Sequence, residues 1–165
     1  VAGETGYVTG IDFTEQMLLK AEENRKKLGY TNVEFVRGDI EEMPLPDNGY
    51  DVVLSNCVLN LVPDKQKAFS EIFRVLKSGG HFCVSDVVIK GTLTDRARTN
   101  AELYAGCVSG ASTMEQYLGF IQHNGFTGMK IHKQKRIELP DGILDPTDDS
   151  GGNGVFSITI SATKP

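Results

Sequence analysis

The stretch Tyr7 to Asp39, YVTGIDFTEQMLLKAEENRKKLGYTNVEFVRGD, decides the fold. Tyr7-Val8-Thr9-Gly10-Ile11-Asp12 reads as a short strand that ends on a carboxylate. Thr14 is a good helix N-cap, and Met17, Leu18, Ala21 and Leu28 recur at helical spacing until Gly29 stops the turn. Asn32 to Val36 is a second strand, closing at Arg37-Gly38-Asp39. Strand, helix, strand in some thirty residues is the unit of a parallel sheet, because two parallel neighbours need a crossover between them.

The same alternation continues outward. Pro44-Leu45-Pro46-Asp47-Asn48-Gly49 is a loop by its turn residues. Asp51-Val52-Val53-Leu54-Ser55 is a continuous apolar run, the pattern of a strand covered on both faces. Asp64 caps a helix with an inward stripe of Ala68, Phe69, Ile72, Phe73 and Leu76, and Lys77-Ser78-Gly79-Gly80 leads into the strand Phe82 to Val88. Helical segments are expected over Thr94 to Cys107 and Met114 to Asn124, and strands over Met129 to Leu139 and Val155 to Thr163. The last two strands have no helix between them and pair antiparallel. Asp141 to Gly154 between them, rich in Asp, Gly and Pro, is expected to be a mobile loop. The whole is an open, doubly wound, mostly parallel α/β sheet with helices on both faces, whose ligand site belongs at the carboxyl ends of its strands.

Composition narrows the partners. The chain of 165 residues carries 17 Lys plus Arg against 22 Asp plus Glu, a net charge of −5, with no clustered basic face of the kind a nucleic-acid binder shows. No apolar run approaches the roughly 20 residues of a membrane span, and the first residues lack a basic n-region with an apolar h-region, so secretion is not expected. Three cysteines, odd in number and widely spaced, make no disulfide framework, so a reducing cytoplasm is the expected compartment. The opening residues, Val1-Ala2-Gly3-Glu4-Thr5-Gly6, run into a strand almost at once and read as the middle of a domain.

Asp12 and Asp39 close neighbouring strands, and Asn56 follows a third. In doubly wound nucleotide binders a carboxylate at the first of these places matches a vicinal ribose diol. Asp39 can reach the edge of an adenine ring, with Ile40 on its face. The alternative for any one such Asp is that it only turns the chain. His81, His123 and His132 lack ligand spacing with one another or with cysteine, so no zinc site is expected. No Tyr-x-x-x-Lys or similar hydride-transfer set accompanies the carboxylates, which disfavours a dehydrogenase.

The run TGIDFTEQMLLKAEENRKKLGYTNVEFVRGDIEEMPLPDNGYDVVLSN, with AFSEIFRVLKSGGHFCVSDVV after it, resembles the class I S-adenosylmethionine methyltransferases, a Rossmann-like family. The resemblance implies that Asp12 holds the cofactor ribose and Asp39 the adenine amino group. Phe13, Ile40 and Asn56 complete the implied cofactor contacts. The family's first strand and its glycine-rich loop, Asp/Glu-x-Gly-x-Gly-x-Gly, have no counterpart here. The chain is therefore expected to be one N-terminally incomplete catalytic domain over residues 1–165.

Two cysteine contexts sharpen the resemblance. Ser55-Asn56-Cys57-Val58-Leu59-Asn60-Leu61-Val62-Pro63-Asp64-Lys65 and Gly106-Cys107-Val108-Ser109-Gly110-Ala111 resemble the two cysteine segments of arsenite methyltransferases, the second reading Cys-x-x-Gly-Ala. The last strand, GVFSITISATKP, resembles theirs as well. Trivalent arsenic is soft and thiolates are its matching donors, so Cys57 and Cys107 are the implied arsenic ligands and catalytic residues. A thiol reductant is the implied partner, since methyl transfer formally oxidises arsenic. Cys83, mid-strand between Phe82 and Val84, reads as a small core residue. Two other readings stay open: a class I methyltransferase with a quinone or other small organic acceptor, which shares the style of GDIEEMPLPDNGYDVV, and a non-catalytic Rossmann-like binding module.

Overall fold

A computed structural model of the chain describes residues 2–3, 5–98, 108–138, 143–145 and 152–165. They fall in two compact units, residues 1–46 and 47–165.

The first unit is a parallel strand pair with its crossover helix. Strand β1 (Val8–Asp12) runs beside β2 (Val33–Arg37) with Val8 opposite Val33 and Asp12 opposite Arg37. Helix α1 (Glu15–Leu28) joins them. Gly29 ends it at φ 71°, a left-handed conformation that a side chain would disfavour, and its N–H closes onto the carbonyls of Arg25 and Lys26. Thr14 stands at the N-cap, but its hydroxyl caps nothing. Its backbone N–H instead donates to Asp12 Oδ1 at 2.7 Å, which ties the helix start to the strand end. The helical spacing of Met17 and Leu28 does not bury them: they are 52% and 63% exposed, and α1 has no buried residue.

The second unit is a four-stranded mixed sheet in the order β3-β4-β6-β5. Strand β3 (Tyr50–Asn56) and the long β4 (Leu76–Lys90) are parallel, whereas β6 (Gly154–Thr163) runs antiparallel to both β4 and β5 (Thr127–Ile137). The antiparallel ending and the βαβ crossover are both as the sequence pattern implies. Helix α2 (Lys65–Val75) makes that crossover, with Asp64 Oδ1 accepting the Lys67 N–H at 2.9 Å. At its other end the Lys164 ammonium donates to the carbonyls of Phe73 and Leu76, where a cation suits the negative helix terminus.

Alternate residues of β4 face two different layers. Phe82, Val84, Asp86 and Val88 lie under α2 and a later helix, α4 (Met114–His123), which a Thr113–Gln116 capping box opens. Phe69 of α2 meets the Phe82 ring at 5.8 Å and the Tyr117 ring of α4 edge-on at 5.4 Å. On the other face Val87 and Ile89 share a cluster with Leu93, Val108, Ala111, Ile143 and Val155. Among these segments lies the short helix α3 (Asp95–Arg98), and the remainder of the helix expected to Cys107 lies outside the described residues.

Two expectations change. The apolar run of β3 is not covered on both faces: Leu54 is 73% and Val52 43% exposed. An unbroken apolar run says that both faces avoid water, not what covers them. The segment expected as a mobile loop is docked where it is described. Thr94 donates its N–H to Ile143, Asp145 donates to Thr92, and Ile143 is buried, because its apolar side chain joins the cluster over β4. Among the described residues no helix is long and apolar enough to cross a membrane.

Truncating the aromatic hinge of the core should separate these two situations. Phe69→Ala, fully buried, is expected to cost about 3–5 kcal/mol in urea unfolding. Leu54→Ala should cost under about 0.5 kcal/mol in the same chain. Comparable losses would mean that the face of β3 is covered in solution.

Candidate functional site

Asp12 and Asp39 belong to the first unit, at adjacent strand ends. The Gly38 N–H donates to the Asp12 carbonyl at 3.1 Å, which holds the two termini side by side. Each carboxylate is oriented by its own turn. Asp12 Oδ1 accepts from Thr14 N, and Asp39 Oδ1 accepts from Glu41 N at 2.9 Å. In both, the second oxygen has no hydrogen-bond partner among the described residues. Phe13, beside Asp12, is 72% exposed, and Ile40 is half-buried. Two carboxylate oxygens without a hydrogen-bond partner among the described residues, an exposed aromatic ring and an aliphatic side chain are groups that suit a polar ribose and an adenine ring.

Asn56 and Cys57 belong to the second unit, at the carboxyl end of the parallel pair β3 and β4. Asn56 is the last residue of β3, opposite Ser85, and is exposed. Cys57 follows with φ 55°, a left-handed turn that is uncommon for any residue other than glycine. Its N–H still donates to Ser85 at 2.8 Å, so the chain leaves the sheet at this residue, and the thiol-bearing residue is exposed. Cys83 lies mid-strand, between Leu54 and Ser161, away from that end. Cys107 lies outside the described residues, but Val108, bonded to it, is buried against β4. His123 contacts the Gly119 carbonyl and His132 the Ser161 hydroxyl, so the two histidines serve separate local contacts.

Beside Cys57 the structure builds a polar cluster that the sequence reading passed over. Asp86 is 1% exposed, and its carboxylate accepts from the Tyr117 hydroxyl at 3.1 Å and the Val87 N–H at 3.2 Å. Asn60, 2% exposed, lies in a 3-10 turn (Leu59–Leu61), and its side-chain amide donates to the Val87 carbonyl at 2.6 Å. Burial pushes the Asp86 carboxyl up from an ordinary 3.8 to about 6. The Tyr117 hydroxyl, the Val87 N–H and the Lys65 charge oppose that shift. Tyr117 is held well above its usual value by burial, then by the Asp86 charge, and Cys57 lies within electrostatic reach of it. The signal was there in FCVSDVV: a single carboxylate inside an apolar strand has to find donors or lose its charge.

Comparisons with known proteins bear on both units. A model of the methyltransferase domain family matches residues 1–138. The chain belongs to that methyltransferase-domain family. Within it, the arsenite methyltransferase of Halobacterium salinarum is 38% identical over 164 residues, 99% of this chain and 41% of its own length. Human arsenite methyltransferase is 39% identical over 154 residues, 88% of this chain and 41% of its own. The crystal structure of an arsenic(III) S-adenosylmethionine methyltransferase from Chlamydomonas reinhardtii superposes with a TM-score of 0.81 at 35% identity. It covers 98% of this chain and 56% of that one. The chain thus spans about two fifths of the length of the curated relatives it matches.

The buried carboxyl makes a pH prediction. Its folded pKa lies above the unfolded one, so its contribution to stability is full below pH 3.8 and is lost as pH rises through about 6. The ceiling of that loss is ~3 kcal/mol. Subtracting the stability of Asp86→Asn from that of the native chain, by urea unfolding at several pH values, should show a decline between pH 4 and 7. A flat difference would mean that Asp86 is not desolvated.

Proposed function

We propose that the chain is the methyl-transferring domain of an arsenite methyltransferase. It uses S-adenosylmethionine as donor and holds trivalent arsenic by the thiolates of Cys57 and Cys107. The observation that carries this reading is the position of Cys57. An exposed thiol-bearing residue in a left-handed turn stands at the carboxyl end of the parallel pair β3 and β4, where open α/β sheets bind their ligands.

In this reading Asp12 accepts the ribose hydroxyls of the cofactor and Asp39 its adenine amino group, with Phe13, Ile40 and Asn56 completing the contacts. The cofactor supplies a methyl group already activated on a sulfonium, so the transfer needs no acid from the protein. What the protein contributes is position. Two thiolates replace hydroxyls on arsenic, matching a soft ion with soft donors and leaving its lone pair to form the new bond. The arsenic–carbon bond forms as the carbon–sulfonium bond breaks. Arsenic is formally oxidised by two electrons, and a dithiol returns it to the trivalent state on becoming a disulfide. A thiol reductant is therefore the required partner, and thiolate ligands suit a reducing compartment such as the cytoplasm. A quinone or other carbon or oxygen acceptor has no use for a pair of thiols, and a non-catalytic module has none for outward carboxylates.

Variants of the full-length protein test the assignment. Cys57→Ser and Cys107→Ser should each reduce methylated arsenic, measured by chromatography with mass detection, to background. Cys83→Ser should stay within about twofold of the native rate, as expected for a substitution away from the site. Asp12→Ala should weaken cofactor binding by about tenfold or more in calorimetry, the usual cost of a lost charged hydrogen bond. It should leave arsenic binding unchanged. Methylation retained by Cys57→Ser would remove the thiol mechanism.

A further inference from the structure

Strand β3 stops at Asn56, opposite Ser85, but β4 runs on to Lys90. The backbone groups of β4 beyond Ser85 that face the β3 side therefore need other partners. The chain supplies them as it leaves β3. The Ser85 carbonyl accepts from the Cys57 N–H at 2.8 Å, and the Val87 carbonyl, two residues on, accepts from the Asn60 side chain at 2.6 Å. Residues 57–60 are thus pinned at both ends to one edge of β4.

Asn60 is held twice more. Its backbone N–H donates to Asp86, whose carboxylate also takes the Tyr117 hydroxyl of α4 at 3.1 Å. On its other side, Gly110 packs so closely on the Asn60 carbonyl that a Cβ added there would fall well inside van der Waals contact with that oxygen. Between the pins the Leu61 N–H closes onto the Val58 carbonyl at 2.9 Å, and Leu59 is buried. The turn cannot shift along β4 or away from it without breaking one of these contacts.

Within it Cys57 alone has a positive φ, 55°. A residue with a side chain keeps that conformation only where its surroundings over-determine it. Here the two pins do so. From Ser85 to Val87 the strand advances about 7 Å, whereas residues 57–60 extended would span about 10 Å. The chain has to double back within that short distance, and it does so at Cys57.

We propose that Asn60 is a positioning residue, which imposes the left-handed turn on Cys57 and so fixes where its thiol stands at the carboxyl end of the sheet. The inference deepens the arsenite reading and rests on it for its ligand. The imposed turn is a separate statement and can be tested with no arsenic present.

The first test compares glycine with alanine at position 57 by urea unfolding of the chain. Glycine adopts the left-handed conformation freely and alanine does not. In the parent, Cys57→Gly should therefore show a folded-to-unfolded ratio about fivefold or more above that of Cys57→Ala. In an Asn60→Ala background, which lacks the bond to Val87, the turn can relax. The preference should then vanish or reverse, because glycine has more chain entropy to lose. If Asn60→Ala loses its cooperative melt, Asn60→Ser, which also lacks the amide, takes its place. The second test uses the full-length protein. There the same Asn60 variant should raise the KM for arsenite at least tenfold and leave that for S-adenosylmethionine within about twofold, a split that general destabilisation does not produce. Methylation retained by Cys57→Ser, with the glycine preference intact, would sink the arsenite reading and leave the hold of Asn60 on the turn standing. Equal stability of Cys57→Gly and Cys57→Ala in the parent, or a preference undiminished by loss of the Asn60 amide, would overturn that hold. An arsenite KM unmoved in a folded Asn60 variant would overturn the positioning role.

Discussion

The second unit is organised by a carboxylate that has to be buried. Asp86 projects from β4 into the layer between the sheet and its helices, where an unpartnered charge is costly. Its donors come from different parts of the chain: the Tyr117 hydroxyl from α4 and backbone groups at Val87 and Asn60. Satisfying it draws α4 and the turn after β3 onto the same end of the sheet. The Cys57 loop is thereby held close to the sheet rather than left as an open connection. The aromatic stack of Phe69 on Phe82 and Tyr117 then seals the cluster from the helix side.

This arrangement explains how groups beyond the sheet are gathered at the carboxyl end of a parallel strand pair. A strand that stops early leaves its neighbour with bare backbone groups, and whatever satisfies them is brought to the carboxyl end of the sheet. Here the satisfying groups belong to segments that carry thiols or adjoin them. The first unit supplies the other kind of chemistry, with carboxylates whose orientation is fixed by their own turns. The turn-held carboxylates and the exposed Cys57 thus belong to strand ends of different units, each built by its own local contacts.

Much of this was legible because it is local. The helix stop at Gly29, the cap at Asp64, the αβ alternation and the antiparallel ending are set by residues a few positions apart, and they stand as read. Asp12, Asp39 and Cys57 were singled out because ligands bind at strand ends in this architecture, and each stands at or just past such an end. What could not be read is nonlocal. Asp86 and Tyr117 are 31 positions apart, and no periodicity links them. The demand on Gly110 comes from a carbonyl oxygen fifty positions earlier in the chain, not from its own backbone conformation. The exposure of Leu54 and the docking of Ile143 likewise depend on what else is near, which a hydrophobic pattern does not specify.

The central claim is that this sheet end presents sulfur to arsenic. X-ray absorption at the arsenic K-edge of the full-length protein loaded with arsenite tests it most directly. The account predicts a first shell containing at least two sulfur atoms, falling by one in Cys57→Ser. A shell of oxygen alone, or a sulfur count unchanged by that substitution, would contradict it.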